Sequence, residues 1–249
     1  TVDILYTGQL FAGRSYGPIS IGGAPFVFRD FEHWQKYSKS PLFAELSAGY
    51  QKGSGGNAVI SITYYGNRQT TANKALNKPE DMKGLKIRVP DAPLYTLFPR
   101  AVGANPTPIA FAEVYLALQN KTVDAQENPL PTIDAKKFYE VQSHINITAH
   151  ITDALLTSGG GPRGAKLSDA DKKTFQAVFQ EAAAKATGEI IGIEKRLMTD
   201  FAKRGKTVVM VDRKPFMAAV QKFYAEGKLP DGAALPWPKD VYDRLQAIK

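Results

Sequence analysis

The sequence predicts an α/β protein, because short β-branched strands alternate with amphipathic helices and one apolar helical stripe runs too long for a single compact lobe. Val2–Tyr6 reads as a buried strand. Asp30 can cap a helix carrying Phe31, Trp34 and Tyr37 at helical spacing, with a further helix from about Pro41 to Tyr50. Gly53-Ser54-Gly55-Gly56 is a loop, and Ala58–Tyr65 alternates as a strand should. A short strand at Leu85–Val89 stops at Pro90. Val114, Tyr115 and Leu118 suggest a helix between Ala110 and Gln119, then Thr122–Ala125 a short strand and Gln126–Pro129 a loop. Ile145–Ile151 is a further strand or an extended crossing segment.

The long stripe is formed by Phe175, Val178, Phe179, Ala182, Ala186, Ile190, Ile193, Leu197 and Phe201. Ser168 with Asp171 has the capping-box pattern, with aspartate in place of glutamate, and Gly205 sits where a left-handed residue ends a helix. Such a helix is roughly 50 Å long at 1.5 Å per residue, so it must brace more than one structural unit. Thr207–Val211 returns as a strand, Pro215 opens a helix with Phe216, Val220 and Phe223, and the proline-rich Lys228–Lys239 is a surface loop.

Composition excludes several functions. With 249 residues, 43% hydrophobic and 22% charged, the chain suits a globular protein of one large or two smaller lobes. No apolar run is long enough to span a bilayer, and no signal peptide is visible. The absence of cysteine removes disulfides, thiolate catalysis and cysteine zinc sites. The three histidines, His33, His144 and His150, lack metal-ligand spacing. The net charge of +8 is spread over scattered lysines rather than a basic stripe, which disfavours nucleic acid.

Catalytic motifs are equally scarce. Gly53-Ser54-Gly55 is not a nucleophile elbow, and neither a phosphate loop nor a dinucleotide fingerprint occurs. Gly159–Gly164 reads as a flexible connector, and Asp124 with Glu127 as surface carboxylates. Two arginines sit in unusual company. Arg68 follows a strand that has just ended, and Arg88 lies inside the apolar strand Leu85–Val89. A buried arginine needs an anion, which is either a ligand or one of the chain's own carboxylates; spacing leaves both open. Asn128, held extended by Pro129, offers an amide to a ligand oxygen or to a turn.

Tyr64–Asn73, Met82–Pro90, Val102–Pro108, Phe111–Gln119, Val123–Pro129 and Lys137–Val141 together resemble the DctP-type substrate-binding proteins of tripartite ATP-independent periplasmic (TRAP) transporters. The resemblance implies a two-lobe periplasmic binding protein fold with crossing hinge strands and one long bracing helix. Lobe I would comprise residues 1–65 and 156–194, and lobe II residues 66–155 and 195–249. It further implies a periplasmic monomer without cofactor that captures an organic acid and hands it to membrane subunits, closing about a hinge when the ligand bridges both lobes. Arg88 matches the arginine that holds the carboxylate bidentately, Arg68 a second arginine and Asn128 an asparagine at the ligand. Phe111 and Asp91 match positions that line the cleft; Tyr65 is added as a cleft wall on its own chemistry.

The chain departs from the family's pattern in lacking the opening strand–helix–strand portion. Gly8 and Phe11 also stand where sialic-acid-binding members carry glutamate and arginine. Asp91 can accept bonds from sugar hydroxyls and repels a second carboxylate, so a sugar acid such as a uronate is expected ahead of a C4-dicarboxylate. An acid-sensing module feeding a receptor, or an enzyme acting on a carboxylate, are the alternatives.

Overall fold

Seven strands are hydrogen-bonded to one another: β1 (Ile4–Gly8), β2 (Asn57–Ala72), β3 (Lys86–Val89), β4 (Asn105–Pro108), β5 (Ala125–Pro129), β6 (His144–Gly160) and β7 (Thr207–Met210). The order is β1-β6-β2-β5-β3-β4, with β7 also pairing β6, in a computed structural model that describes residues 2–164 and 166–249. At 16 and 17 residues, β2 and β6 run far beyond the usual five or six. The chain divides into two compact units, residues 1–65, 152–190 and 236–249 in unit 1, and residues 66–151 and 191–235 in unit 2. β2, β6 and the 35-residue helix Asp169–Lys203 each supply residues to both.

In unit 1 the helices start where the side chains can satisfy their first N–H groups. The Asp30 carboxylate accepts from the His33 N–H (2.8 Å) to cap Phe31–Ser38, and Ser40 Oγ accepts from the Phe43 N–H to cap Pro41–Gly53. Trp34, Tyr37, Leu46 and Tyr64 are buried there, with Phe31 edge-on to Tyr64. Two expectations are corrected. The strand at the N-terminus is not buried: Leu5 and Tyr6 are about half exposed (47% and 54%), because β1 ends the strand order and pairs only with β6 among the described residues. The C-terminal segment 236–249, predicted in lobe II, belongs to unit 1. Arg29 donates to the Gln246 carbonyl (3.1 Å), Gln246 Nε2 to the Val27 carbonyl (2.7 Å), and Arg244 pairs with Glu45.

In unit 2, β3 lies parallel between β4 and β5, and β5 runs antiparallel to the second half of β2. The core gathers Val114, Leu118, Val123, Leu130, Ile133, Phe138 and Ile145 around Leu197 and Phe201 from the end of the long helix. That helix begins as expected, with Ser168 Oγ accepting from the Asp171 N–H (3.1 Å) and donating to its carboxylate (2.7 Å). It ends in a Schellman turn: Gly205 takes φ +76°, and the Lys206 N–H donates to the Phe201 carbonyl (3.0 Å).

Two strands differ from their predicted bounds in ways that matter below. β2 continues to Ala72, so Arg68 is inside a strand rather than after one. β5 covers Ala125–Pro129, the segment whose polarity suggested a loop. Both extensions have one cause: each backbone supplies the other's hydrogen bonds, from Arg68↔Pro129 to Ala72↔Ala125. Gly66, at φ +121°, admits this close approach. A Cβ there would stand 2.8 Å from the Pro129 side chain and 3.0 Å from the Glu194 carboxylate, which accepts from the Asn67 N–H.

Phe201 has no exposure and ties the long helix to the core of unit 2. Phe201→Ala should destabilise the chain by about 3–5 kcal/mol, read as a lower denaturant midpoint in urea melts. A loss under about 1 kcal/mol would show that this contact is dispensable.

Candidate functional site

Strands β2, β3, β5 and β6 carry polar side chains into the interior of unit 2 instead of the usual apolar ones. Arg68, Gln69, Thr70 and Thr71 on β2, Arg88 on β3, Gln126, Glu127 and Asn128 on β5, and Asn146, Thr148 and His150 on β6 are all buried. Polar groups taken out of water must find partners, and these find each other. Gln126 Nε2 donates to Thr71 Oγ1 (3.0 Å), Asn128 Nδ2 to Gln126 Oε1 (2.7 Å), and Thr71 Oγ1 to Gln142 Oε1 (3.1 Å). Thr70 and Thr148 hydroxyls meet at 3.3 Å.

Charge is concentrated in four side chains. Arg68, 3% exposed, grips Glu127: Nε donates to Oε2, and Nη2 to Oε1 and the main-chain carbonyl (2.8 Å each). Nη2 also reaches Asn128 Oδ1 (3.2 Å), and the guanidinium lies 5.1 Å from the Tyr95 ring centroid. His150 Nε2 meets Glu127 Oε2 at 3.1 Å and Nδ1 meets Thr148 Oγ1 at 2.9 Å, while the ring stacks on Phe98 at 4.3 Å. Ala149, at the left-handed φ of +39°, aims His150 inward. Its N–H donates to Gln69 Oε1 (2.8 Å), and its carbonyl accepts from Arg213 Nη2 (2.9 Å).

These contacts set protonation states. Burial alone would push the Glu127 carboxyl up, but the Arg68 charge and the His150 hydrogen bond more than offset it and hold the group ionised, below the ordinary carboxylate range. Burial pulls the His150 imidazole below its ordinary 6.5, and the Glu127 bond opposes this only in part.

Arg88 is in a different position. It is 2% exposed, and Nε and Nη2 both donate to the Ile109 carbonyl (2.9 and 2.7 Å). Nη1 is buried without a partner among the described residues, and no carboxylate of theirs forms an ion pair with it. Burial draws its pKa down to about 10, with Glu127 opposing, so the group remains a cation at neutral pH. The Phe111 ring centroid lies 5.8 Å from the guanidinium carbon.

Five of the six residues predicted from the sequence lie in unit 2. Arg88, Arg68 and Asn128 are buried, Phe111 is 41% exposed beside Arg88, and Asp91 is exposed just after β3. Tyr65 is partly buried and belongs to unit 1. The reading of Asp124 and Glu127 as surface carboxylates is corrected for Glu127, which is 2% exposed; Asp124 is exposed and accepts the Lys86 N–H (2.8 Å). Sequence reasoning also missed His150. Its signal was period two: Asn146, Thr148 and His150 alternate along β6.

Residues 1–228 match the family described as bacterial extracellular solute-binding protein, family 7 (DctP), and the chain belongs to that family. That membership places it in the periplasm. It is 39% identical over 202 residues to the sialic acid-binding periplasmic protein SiaP of Vibrio cholerae, covering 81% of this chain and 63% of that one. It is 35% identical over 136 residues to the C4-dicarboxylate-binding periplasmic protein DctP of the same organism, covering 54% of this chain and 40% of the relative. A TRAP periplasmic solute-binding protein of Roseobacter denitrificans, solved with bound 3-deoxy-D-manno-oct-2-ulosonic acid, superposes with a TM-score of 0.91 at 26% identity over all of this chain and 81% of its own. The chain thus spans less than two thirds of the length of the two Vibrio relatives.

His150 and His33 are both buried with their pKa values lowered by burial. The unfolded chain binds protons near pH 6.5 that the folded chain refuses, so stability falls as pH drops below that value. The slope is at most about 1.4 kcal/mol per pH unit for each histidine. Urea melts at pH 7.5 and 5.5 should show the lower midpoint at 5.5, and His150→Gln should flatten the difference. Equal midpoints for the unaltered chain would contradict this.

Proposed function

We propose that the chain captures an organic-acid anion by an arginine–carboxylate salt bridge, without turning it over, and delivers it to the membrane subunits of a TRAP transporter. The observation that carries this is the Arg88 guanidinium, buried and charged, with Nη1 unpartnered among the described residues. The competing explanation for a buried arginine is an internal ion pair. Arg68 has one with Glu127, and Arg88 has none among the described residues. A carboxylate arriving from outside would meet Nη1 and balance a charge that the fold leaves exposed to no water.

Arg68 and Asn128 are proposed to act beside Arg88, with Asn128 Oδ1 and Nδ2 fixed by Arg68 and Gln126 so that the amide presents a known face. Phe111, with its ring over the Arg88 guanidinium, Asp91 and Tyr65 are proposed as lining residues. Two of the similar proteins are named for, or solved with, sialic acid and a deoxy-octulosonic acid, each a hydroxylated sugar acid. The polar, hydrogen-bonding interior around Arg88 suits such a ligand better than an apolar acid would. The two compact units stand for the two lobes of the receptor, and the protein works as a monomer.

A thermal-shift screen against organic acids should find one that raises the melting temperature. Calorimetric titration with that acid should then show Arg88→Ala losing affinity by about 2–5 kcal/mol, which moves a micromolar ligand to between tens of micromolar and millimolar. Arg88→Lys should retain little, because an ammonium lacks the planar fork. Near-normal binding by Arg88→Ala would refute the assignment.

A further inference from the structure

The helix Arg213–Glu226 reaches the His150 region of β6 at two points. Phe216, fully buried, packs on Phe98 with ring centroids 6.2 Å apart, and Phe98 stacks on the imidazole at 4.3 Å. Arg213, the first residue of the helix, donates from Nη2 to the Ala149 carbonyl (2.9 Å), one residue before His150. The helix does not call for a cation at this place. Its first turn lies at the positive end of the dipole, and no acidic side chain stands in that turn to offset the arginine. The use of Arg213 lies across the contact. Ala149 holds φ at +39° within a strand, a region an L residue enters at a cost. The pairing of β6 with β7 has ended two residues earlier, at Ile147↔Met210. Both backbone polar groups of Ala149 are taken by side chains instead, the N–H by Gln69 Oε1 (2.8 Å) and the carbonyl by Arg213.

Resting on the proposal that a hydroxylated sugar acid is captured at Arg88, we infer that Arg213 is a positioning residue of that site: it holds Ala149 left-handed and thereby seats His150 against Glu127. The step from backbone to site is short. Side chains on a strand change face with each residue, so a peptide that relaxes at Ala149 turns the next side chain away. In its seat the neutral imidazole carries its hydrogen on Nε2, towards the ionised Glu127, and accepts at Nδ1 from the Thr148 hydroxyl. Without that seat Glu127 loses one partner and keeps Arg68, the residue that in turn fixes Asn128. Arg213 acts on the acid through this series of contacts, with no need to touch it. Its charge works in the same direction, since Arg213 on the helix and Arg68 on β2 oppose protonation of His150 while Glu127 on β5 favours it.

The test begins on the unaltered chain without ligand. NMR should show a His150 Nε2–H protected from exchange with water, as a buried bond requires. Arg213→Met, which keeps the apolar stem and removes the guanidinium, should lose that protection. Calorimetry then uses whichever of sialic acid, 3-deoxy-D-manno-oct-2-ulosonic acid and D-glucuronate binds best. Arg213→Met should weaken that binding about three- to tenfold, because an alanine no longer held leaves the left-handed form for most of the time. Glycine enters the left-handed region freely, so adding Ala149→Gly to Arg213→Met should restore the protected N–H and bring affinity back to within about twofold. Unweakened binding by Arg213→Met overturns the inference. So does a loss that Ala149→Gly fails to restore, which marks the arginine as a direct contact of the acid. Should Arg213→Met not fold, Ala149→Gly alone decides: its melting temperature should not fall, whereas glycine at an ordinary strand position lowers it. A lower melting temperature, or an unprotected His150 N–H in the unaltered chain, also overturns it. None of these failures touches the Arg88 anchor, which is judged by Arg88→Ala; binding by none of the three acids removes the sugar-acid site that Arg213 is inferred to serve.

Discussion

Taking a guanidinium out of water costs several kcal/mol unless something negative meets it, and unit 2 takes out two. The fold answers the two cases differently. For Arg68 it supplies Glu127, on the neighbouring strand, at a register where β2 and β5 face each other residue by residue. For Arg88 it supplies only the Ile109 carbonyl, a dipole rather than a charge, and leaves Nη1 open among the described residues. Among the described residues a carboxylate is paired with one arginine and none with the other, which is the charge the proposed function assigns to a ligand.

That asymmetry depends on the polar interior being complete elsewhere. A half-satisfied network is worse than an apolar core, because each orphaned group carries its full desolvation cost. Asn128, Gln126, Thr71 and Gln142 form one hydrogen-bonded chain and Thr70 pairs with Thr148, so the polar side chains of this interior are held in one arrangement. His150 closes the set from β6. The Ala149 backbone takes an uncommon left-handed conformation to aim it, and that strain is held in place by Gln69 and Arg213. Rigidity of this kind favours binding by reducing the ordering cost at the moment of capture.

The fold class was legible because apolar periodicity is a strong signal. The long helix, its serine cap and its terminal glycine announced themselves in the residues. Arg88 stood out for the same reason, a charge in an apolar run, although the residues alone left open whether its anion was internal. The polar core was harder to see. Gln126-Glu127-Asn128-Pro129 looks like a loop to any rule that equates polarity with water, yet it is a fully buried strand whose solvent is other side chains. Arg68 lies past the alternation that ends at Tyr65, yet Gly66 permits close approach to Pro129 and the strand continues. The C-terminal segment could not be assigned to a unit from periodicity, since what holds it is distant contacts such as Arg29 to the Gln246 carbonyl and Gln246 to the Val27 carbonyl.

The account reduces to where a carboxylate sits relative to one nitrogen. A crystal structure of the chain with an acid that stabilises it would place that carboxylate directly. The account predicts an oxygen at about 2.8 Å from Arg88 Nη1, with the Arg68–Glu127 pair intact beside it. A bound acid whose carboxylate lies on exposed lysines, with Nη1 of Arg88 still without an anion, would contradict it.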